Sequence, residues 1–262
     1  MAPSISVCAE LDGTNNPGRI SPSRSRIATM SESVEQQQPE AVEHPRGARH
    51  EVRRTRARAR YDRAAVHTIL DAGMIAHVGF CTDGQPFVIP MLYARDGDAL
   101  VLHGSVASRL MGRLGEGVPV CVSVTHVDGL VLARSHFDHS VNYRSVVAFG
   151  RATLVEDPAS KADALSRFVE ALIPGRAAES RPADRTELAA THVLRFEIED
   201  ASAKVRSGGV KDNPADLALP HWAGVVPRSA AYGAPEPDEL LVAGTPLPAS
   251  VLGLLERNGS PR

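Results

Sequence analysis

From residue 62 to residue 199 the chain alternates short apolar runs with tight-turn residues. Asp62 stands where a helix N-cap belongs, Ala65, Val66, Ile69 and Leu70 make a stripe at helical spacing, and Gly73 ends it. MIAHVGF (74–80) reads as a strand, Asp83-Gly84 as a hairpin turn, and PFVIPMLY (86–93) as the returning strand. A second turn at 95–98 leads into ALVLHG (99–104), and a short helix over 107–114 is closed by Gly115 and Gly117. VPVCVSVT (118–125) and GLVLAR (129–134) are predicted to form a hairpin around Val127-Asp128-Gly129. The stretch 142–156 reads as one long strand, with Gly150 marking a bend or bulge. Asp157-Pro158 opens a helix through about residue 172, a short helix covers 185–191, and HVLRFEIE (192–199) is the last strand.

At least six strands joined by tight turns, with few helices between them, exclude a parallel doubly wound sheet. They predict a mainly β fold, an antiparallel barrel or sandwich with peripheral helices. VPVCVSV and RSVVAFG are apolar on both faces, which implies a barrel interior on one side and a subunit interface on the other.

Composition adds boundaries. Of the eleven aromatic residues only Tyr232 lies outside Tyr61–Trp222. Residues 1–50 have none and are rich in Ser, Pro, Gln and Glu, so they read as a disordered extension. The folded domain is 51–228, and 229–262 is a proline-rich tail with a short helix near 249–256. No apolar run approaches the roughly 18 residues of a membrane-crossing helix, and the N-terminus lacks the pattern of a secretory signal. Three scattered cysteines argue against a disulfide framework, so the expected setting is cytoplasmic. A net charge of -2 speaks against non-specific nucleic-acid binding. The arginine-rich run 46–63, without interleaved aromatics, reads as a solvated arm.

The chemistry-bearing residues are few. In LHGSVASR (102–109), Ser105, Ser108 and Arg109 gather hydroxyls and a guanidinium at a strand-to-helix turn, an arrangement that suits a phosphate or simple helix capping. Ser145 interrupts an apolar strand side, and Trp222 sits alone among prolines in LPHWAGVVP (219–227). His136 and His139 form an H-x-x-H pair near His126 and Asp128, too sparse a pattern to specify a metal site. Cys121 reads as an inert thiol in an apolar strand, and neither a nucleophile elbow nor a dinucleotide fingerprint is present.

Taken in order, AHVGF, DGQPFVIPMLY, LHGSVASR, VPVCVSVT, HSVNYRSVVAFGRATLVED, SAKVRSG and LPHWAGVVP resemble the pyridoxamine 5′-phosphate oxidase-related FMN-binding split-barrel family, in its nitroimidazole-resistance-like branch. The resemblance spans about residues 61–228 and implies a six-stranded antiparallel split β-barrel of Greek-key character, usually a homodimer with FMN between the subunits. It would place Val88, Ile89, Pro90 and Met91 along the flavin ring, Ser105, Ser108 and Arg109 on the phosphate, Ser145 near the ring, and Trp222 near the cofactor. His103 matches a histidine with a proposed role in that branch and is the one candidate catalytic residue. Relatives often use a second cation at the phosphate, for which Arg113 and Arg134 are available here. The C-terminal arginine and histidine pattern of the true oxidases is missing, so vitamin B6 oxidation does not carry over. The expected activity is flavin-dependent oxidoreduction of a small molecule, with NADH or NADPH as donor. The alternatives are a haem or deazaflavin split barrel, with His77, His103 or His139 as axial ligand, and a non-catalytic flavin module.

Overall fold

A computed structural model describes residues 42–44 and 47–257. Most of the expected N-terminal extension lies outside them. Among the described residues nine strands form one antiparallel sheet: β1 (Ala59–Arg60), β2 (Ile75–Thr82), β3 (Gln85–Leu92), β4 (Ala94–Asp96), β5 (Ala99–Ser105), β6 (Pro119–Leu132), β7 (Ser140–Leu154), β8 (Thr191–Arg206) and β9 (Gly224–Pro227). The hydrogen-bonded order is β3-β2-β6-β7-β8-β5-β4, with β1 added to β8 and β9 to β6. The path does not close on itself, and its crossovers from β2 to β6 and from β5 to β8 give the expected Greek-key split barrel. The six long strands match the number the resemblance implies, with the segments 118–125 and 129–134 joined in β6.

Local sequence explains most boundaries. Asp83 and Gly84 both adopt positive φ, 51° and 77°, which the two-residue turn between β2 and β3 requires. The Asp62 carboxylate accepts the Ala65 N–H at 2.8 Å and starts α1 (Arg63–Asp71). Ser108 caps α2 (Arg109–Gly115), Asp157 caps α3 (Pro158–Leu172), and Asp184 forms a capping box on α4 (Arg185–Ala190). The tail carries no long strand, but α5 (Ala249–Glu256) docks through Ser250, whose N–H donates to the Glu179 carboxylate. Among the described residues no helix is long and apolar enough to cross a membrane.

Three readings need correction. The predicted hairpin at 127–129 does not form: β6 runs straight through Asp128-Gly129 with only a register shift against β7. At Gly129 an added Cβ would meet the Val226 carbonyl of β9, so the distant β9 occupies the space a turn would need. The last long strand reaches Arg206 because β7 continues to offer partners as far as Tyr143. The ordered unit also begins before residue 51. Glu43 bridges Asp62, His44 and His50 are buried, and the Arg49 guanidinium pairs with Glu199 at 2.8 Å and lies over the Phe149 ring.

The main core lies on one face of the sheet. Val78, Val122, Val124, Val146, Ala148, Leu102, Leu194 and Phe196 fill it, with α1 and α2 contributing Val66, Leu70, Met111 and Leu114. Gly150 sits at a β7 bulge so close to the Glu197 carbonyl that no side chain fits. A smaller core of Val101, Phe168 and Val193 holds α3 against the sheet.

Candidate functional site

β3 is the sheet's open edge, and it lies beside β5 across the split. Its composition is unusual for an edge: Phe87, Val88 and Leu92 are apolar and exposed, Val88 to 67%. Pro86 and Pro90 lack an N–H, so residues of their parity turn that side of the backbone away from β2. The Val88 N–H therefore points to the open edge between two prolines, which also block a further strand from pairing there. Register separates the four expected ring-lining residues by face. Ile89 and Met91 stand opposite Val78 and Ala76 on the core side, whereas Val88 and Pro90 stand opposite Gly79 and His77 on the outer side.

The outer side continues across the sheet: Gly79 pairs with Cys121 and Cys121 with Phe149, while His77 pairs with Ser123 and Ser123 with Val147. Ser145 belongs to this face, paired with Thr125 and Lys204, and its hydroxyl donates to the Lys204 carbonyl at 3.4 Å. Burial raises the Cys121 thiol pKa, in keeping with an inert role. His77, one of the histidines offered as a haem ligand, is exposed.

On the other side of the split, β5 ends in His103-Gly104-Ser105 and turns into α2. The Ser105 Oγ accepts the Ala107 N–H at 3.2 Å, and the Ser108 Oγ accepts the Met111 N–H at 3.4 Å. Each hydroxyl thereby keeps its own proton to donate outward. Arg109 is exposed and has no ion-pair partner among the described residues. The second cations considered for a phosphate are engaged elsewhere: Arg113 with Glu116, and Arg134 with the buried carboxylate of Asp212. The His103 ring packs edge-on to Phe168 at 4.6 Å between centroids, and burial lowers its pKa, so it is neutral at pH 7.

Trp222 is remote from all of these. Its indole lies over Gly224, which pairs with Leu132 at the far end of β6. Seven residues of strand separate Leu132 from Thr125, the partner of Ser145, or about 23 Å at roughly 3.3 Å per residue. The structure thus sets β3 beside β5, the strand that leads into the Ser105–Arg109 turn, keeps Ser145 on the outer face, and leaves Trp222 apart. Among the described residues, no group of three or more His, Cys, Asp or Glu side chains is placed to hold a metal ion. Sequence reasoning missed the apolar face of β9 beside Trp222, because four residues between prolines and glycine carry no strand signal of their own.

The sequence profile of the pyridoxamine 5′-phosphate oxidase family matches residues 62–205. No curated protein matches the chain. Among solved structures, the flavocytochrome Anf3 from Azotobacter vinelandii is 42% identical, with a TM-score of 0.75, over 79% of this chain and 97% of that one. The FAD and haem binding protein from Mycobacterium smegmatis is 40% identical, with a TM-score of 0.73, over 76% of this chain and 97% of that one. Profile, identity and fold agree, and this chain belongs to the pyridoxamine 5′-phosphate oxidase-like family of split-barrel proteins.

Proposed function

We propose that the protein is a flavin-binding redox protein that also binds haem and acts on a small molecule. The reading is carried by the likeness to two solved proteins, one named a flavocytochrome and the other an FAD and haem binding protein, over nearly their whole length. The second of those names favours FAD over the FMN expected from sequence; both flavins present the same ring and the same first phosphate.

The residues fit a flavin. Arg109 is an unbridged guanidinium, and Ser105 and Ser108 retain hydroxyl donors beside it, which together suit a phosphate group. The Val88 N–H on the open edge is placed to donate to a ring-edge acceptor, and the flanking prolines keep that edge clear of other strands. Exposed Val88 and Pro90, on the same outer face of β3, supply apolar wall for a flat ring. A bound flavin would supply hydride and single-electron chemistry; the protein's part is to hold, orient and shield it. His103, neutral and beside the phosphate turn, is available as a proton acceptor. NADH or NADPH is the proposed donor.

The proposed homodimer contact is the half-buried outer face of β6 and β7, where Cys121, Ser123, Val147 and Phe149 lie, apart from the Trp222 ribbon. Vitamin B6 oxidation is not part of this proposal.

The test is the absorption spectrum and extracted cofactor mass of the purified protein. A two-band flavin spectrum and a mass matching FAD are expected, with Arg109→Ala weakening flavin binding at least about tenfold, as loss of a charge-assisted contact should. Protein that retains no flavin and takes up neither FAD nor FMN on titration would overturn the reading.

A further inference from the structure

Beyond the barrel, β6, β7 and β9 form a three-stranded ribbon with two unlike faces. On one face Val131 is fully buried and Ala133 nearly so. On the other, Leu130 stands beside Val141 on β7 and Val226 on β9, and these three are 50%, 37% and 46% exposed. Leu132 pairs with Gly224 on the same face, and the Trp222 indole lies where a side chain on Gly224 would be. Trp222 is itself 67% exposed, and Phe137 at the turn joining β6 to β7 is 95% exposed. A contiguous apolar face of this kind, on a protein whose core is already filled, awaits an occupant.

One polar side chain at its rim indicates which. His139 lies two residues before Val141, and its Nδ1 is 2.7 Å from the Ser135 carbonyl oxygen. A carbonyl only accepts, so Nδ1 carries the proton, and in the neutral ring Nε2 keeps its lone pair. The turn that presents it is braced, with the Ser135 hydroxyl donating to Asp138 and accepting the Asp138 N–H. A ring fixed through Nδ1 on a backbone carbonyl, with Nε2 free, is the usual arrangement of a metal-binding histidine.

The other histidines lack this combination. His126 also holds a backbone carbonyl, that of Ile69, but its ring is crowded against Gly73. His103 has its ring against Phe168, and neither His103 nor His77 holds a backbone carbonyl that would fix its tautomer. His44 is buried without a partner on either nitrogen, closed off from any large group.

We infer that His139 is an axial haem ligand and that the bare face of the β6–β7–β9 ribbon, from Trp222 across Leu130 to Val141, takes the macrocycle. This rests on the haem part of the proposed function and adds to it the site. A lone iron ligand beside a wide apolar face suits a group that brings four equatorial nitrogens of its own, whereas a bare metal ion would need further protein ligands that are not grouped there.

The experiment titrates hemin into the full-length protein with its flavin bound, and follows the Soret band, the haemochrome content and the low-temperature EPR spectrum. The intact protein should bind one haem per chain. Because loss of even a partner hydrogen-bonded to a metal ligand costs tenfold or more, His139→Ala should weaken haem binding at least about tenfold. Added imidazole should restore the spectrum. His139→Met should keep haem with an altered axial signature, and serves if the alanine variant loses flavin or secondary structure. Leu130→Asp should lower haem retention and leave flavin bound. If the intact protein binds flavin and no haem, the haem reading falls and this inference with it. If it binds haem and both His139 variants leave affinity and spectra unchanged, the haem reading stands and His139 is not the ligand. If Leu130→Asp breaks a dimer while haem binding persists, the face is a contact between chains and the inference is overturned.

Discussion

Strands β6 and β7 build two surfaces from similar materials. In the barrel half, Val120, Val122 and Val124 pair with Gly150, Ala148 and Val146, and all are buried. In the distal half, Leu130 pairs with Val141 and Val226, and all are exposed. Ladder pairing and apolar character are common to both; the difference is the layer above. The first half is covered by α1, α2 and the remaining strands of the same chain. The second is covered by nothing among the described residues. Burial of apolar surface is worth about 25 cal/mol per Å² wherever it occurs. The barrel half therefore stabilises the chain itself, and the distal half keeps the same driving force for something that arrives from outside. An alternating apolar strand states that one face will be covered; it does not state by what.

Substitutions in the two halves should separate these roles. The largest effect is expected at Gly150. A valine there would drive Cβ into the Glu197 carbonyl, so Gly150→Val should abolish cooperative unfolding in a urea titration. Leu102→Ala, in the filled core, should cost about 2–5 kcal/mol in the same measurement. Leu130→Ala on the ribbon should cost less than about 0.5 kcal/mol without an added ligand, although it deletes the same atoms. Equal losses at the two leucines would end the comparison. Asp157→Ala, which removes the cap of α3, should cost about 1 kcal/mol.

A smaller effect depends on pH. Burial, and then the nearby Arg63 charge, hold the His44 pKa below the ordinary value near 6.5. The unfolded chain then binds a proton that the folded chain refuses. Stability is full above about pH 6.5 and declines as pH falls through that value toward the folded pKa. Burial shifts His103 in the same direction. Urea midpoints at pH 7.5 and 5.5 should fall for the native chain and fall less for His44→Phe; equal falls would remove His44 as a contributor.

Much of the barrel was legible because its signals are local. An Asp-Gly pair demands positive φ, a carboxylate before a helix satisfies free N–H groups, and Gly150 announced a bend that the β7–β8 register requires. The Asp128-Gly129 signal failed because β9, almost a hundred residues later, pairs there and holds β6 extended. The buried setting of His44 and His50 was illegible for a similar reason: His44 lies among Arg63, His67 and Asp98, His50 packs on the Tyr61 ring, and nothing in an arginine-rich stretch announces it. At the candidate site, the hydroxyls and guanidinium of Ser105, Ser108 and Arg109 could be read from spacing. The sequence also offered His77, His103 and His139 on equal terms, because a histidine's fitness as a ligand depends on what holds its second nitrogen.

By itself, then, the sequence determined the antiparallel strands, most of their caps and turns, and the run of hydroxyls and a guanidinium after β5, since each is set by residues within a few positions of one another; the split barrel followed from the family resemblance. Only the tertiary structure decided that β6 runs on past Gly129, that Val88 and Pro90 share the outer face while Ile89 and Met91 do not, and that His139 sits braced beside a bare apolar ribbon. Those outcomes depend on register and on contacts between segments far apart in the chain, where a shift of one residue turns a side chain to the opposite face.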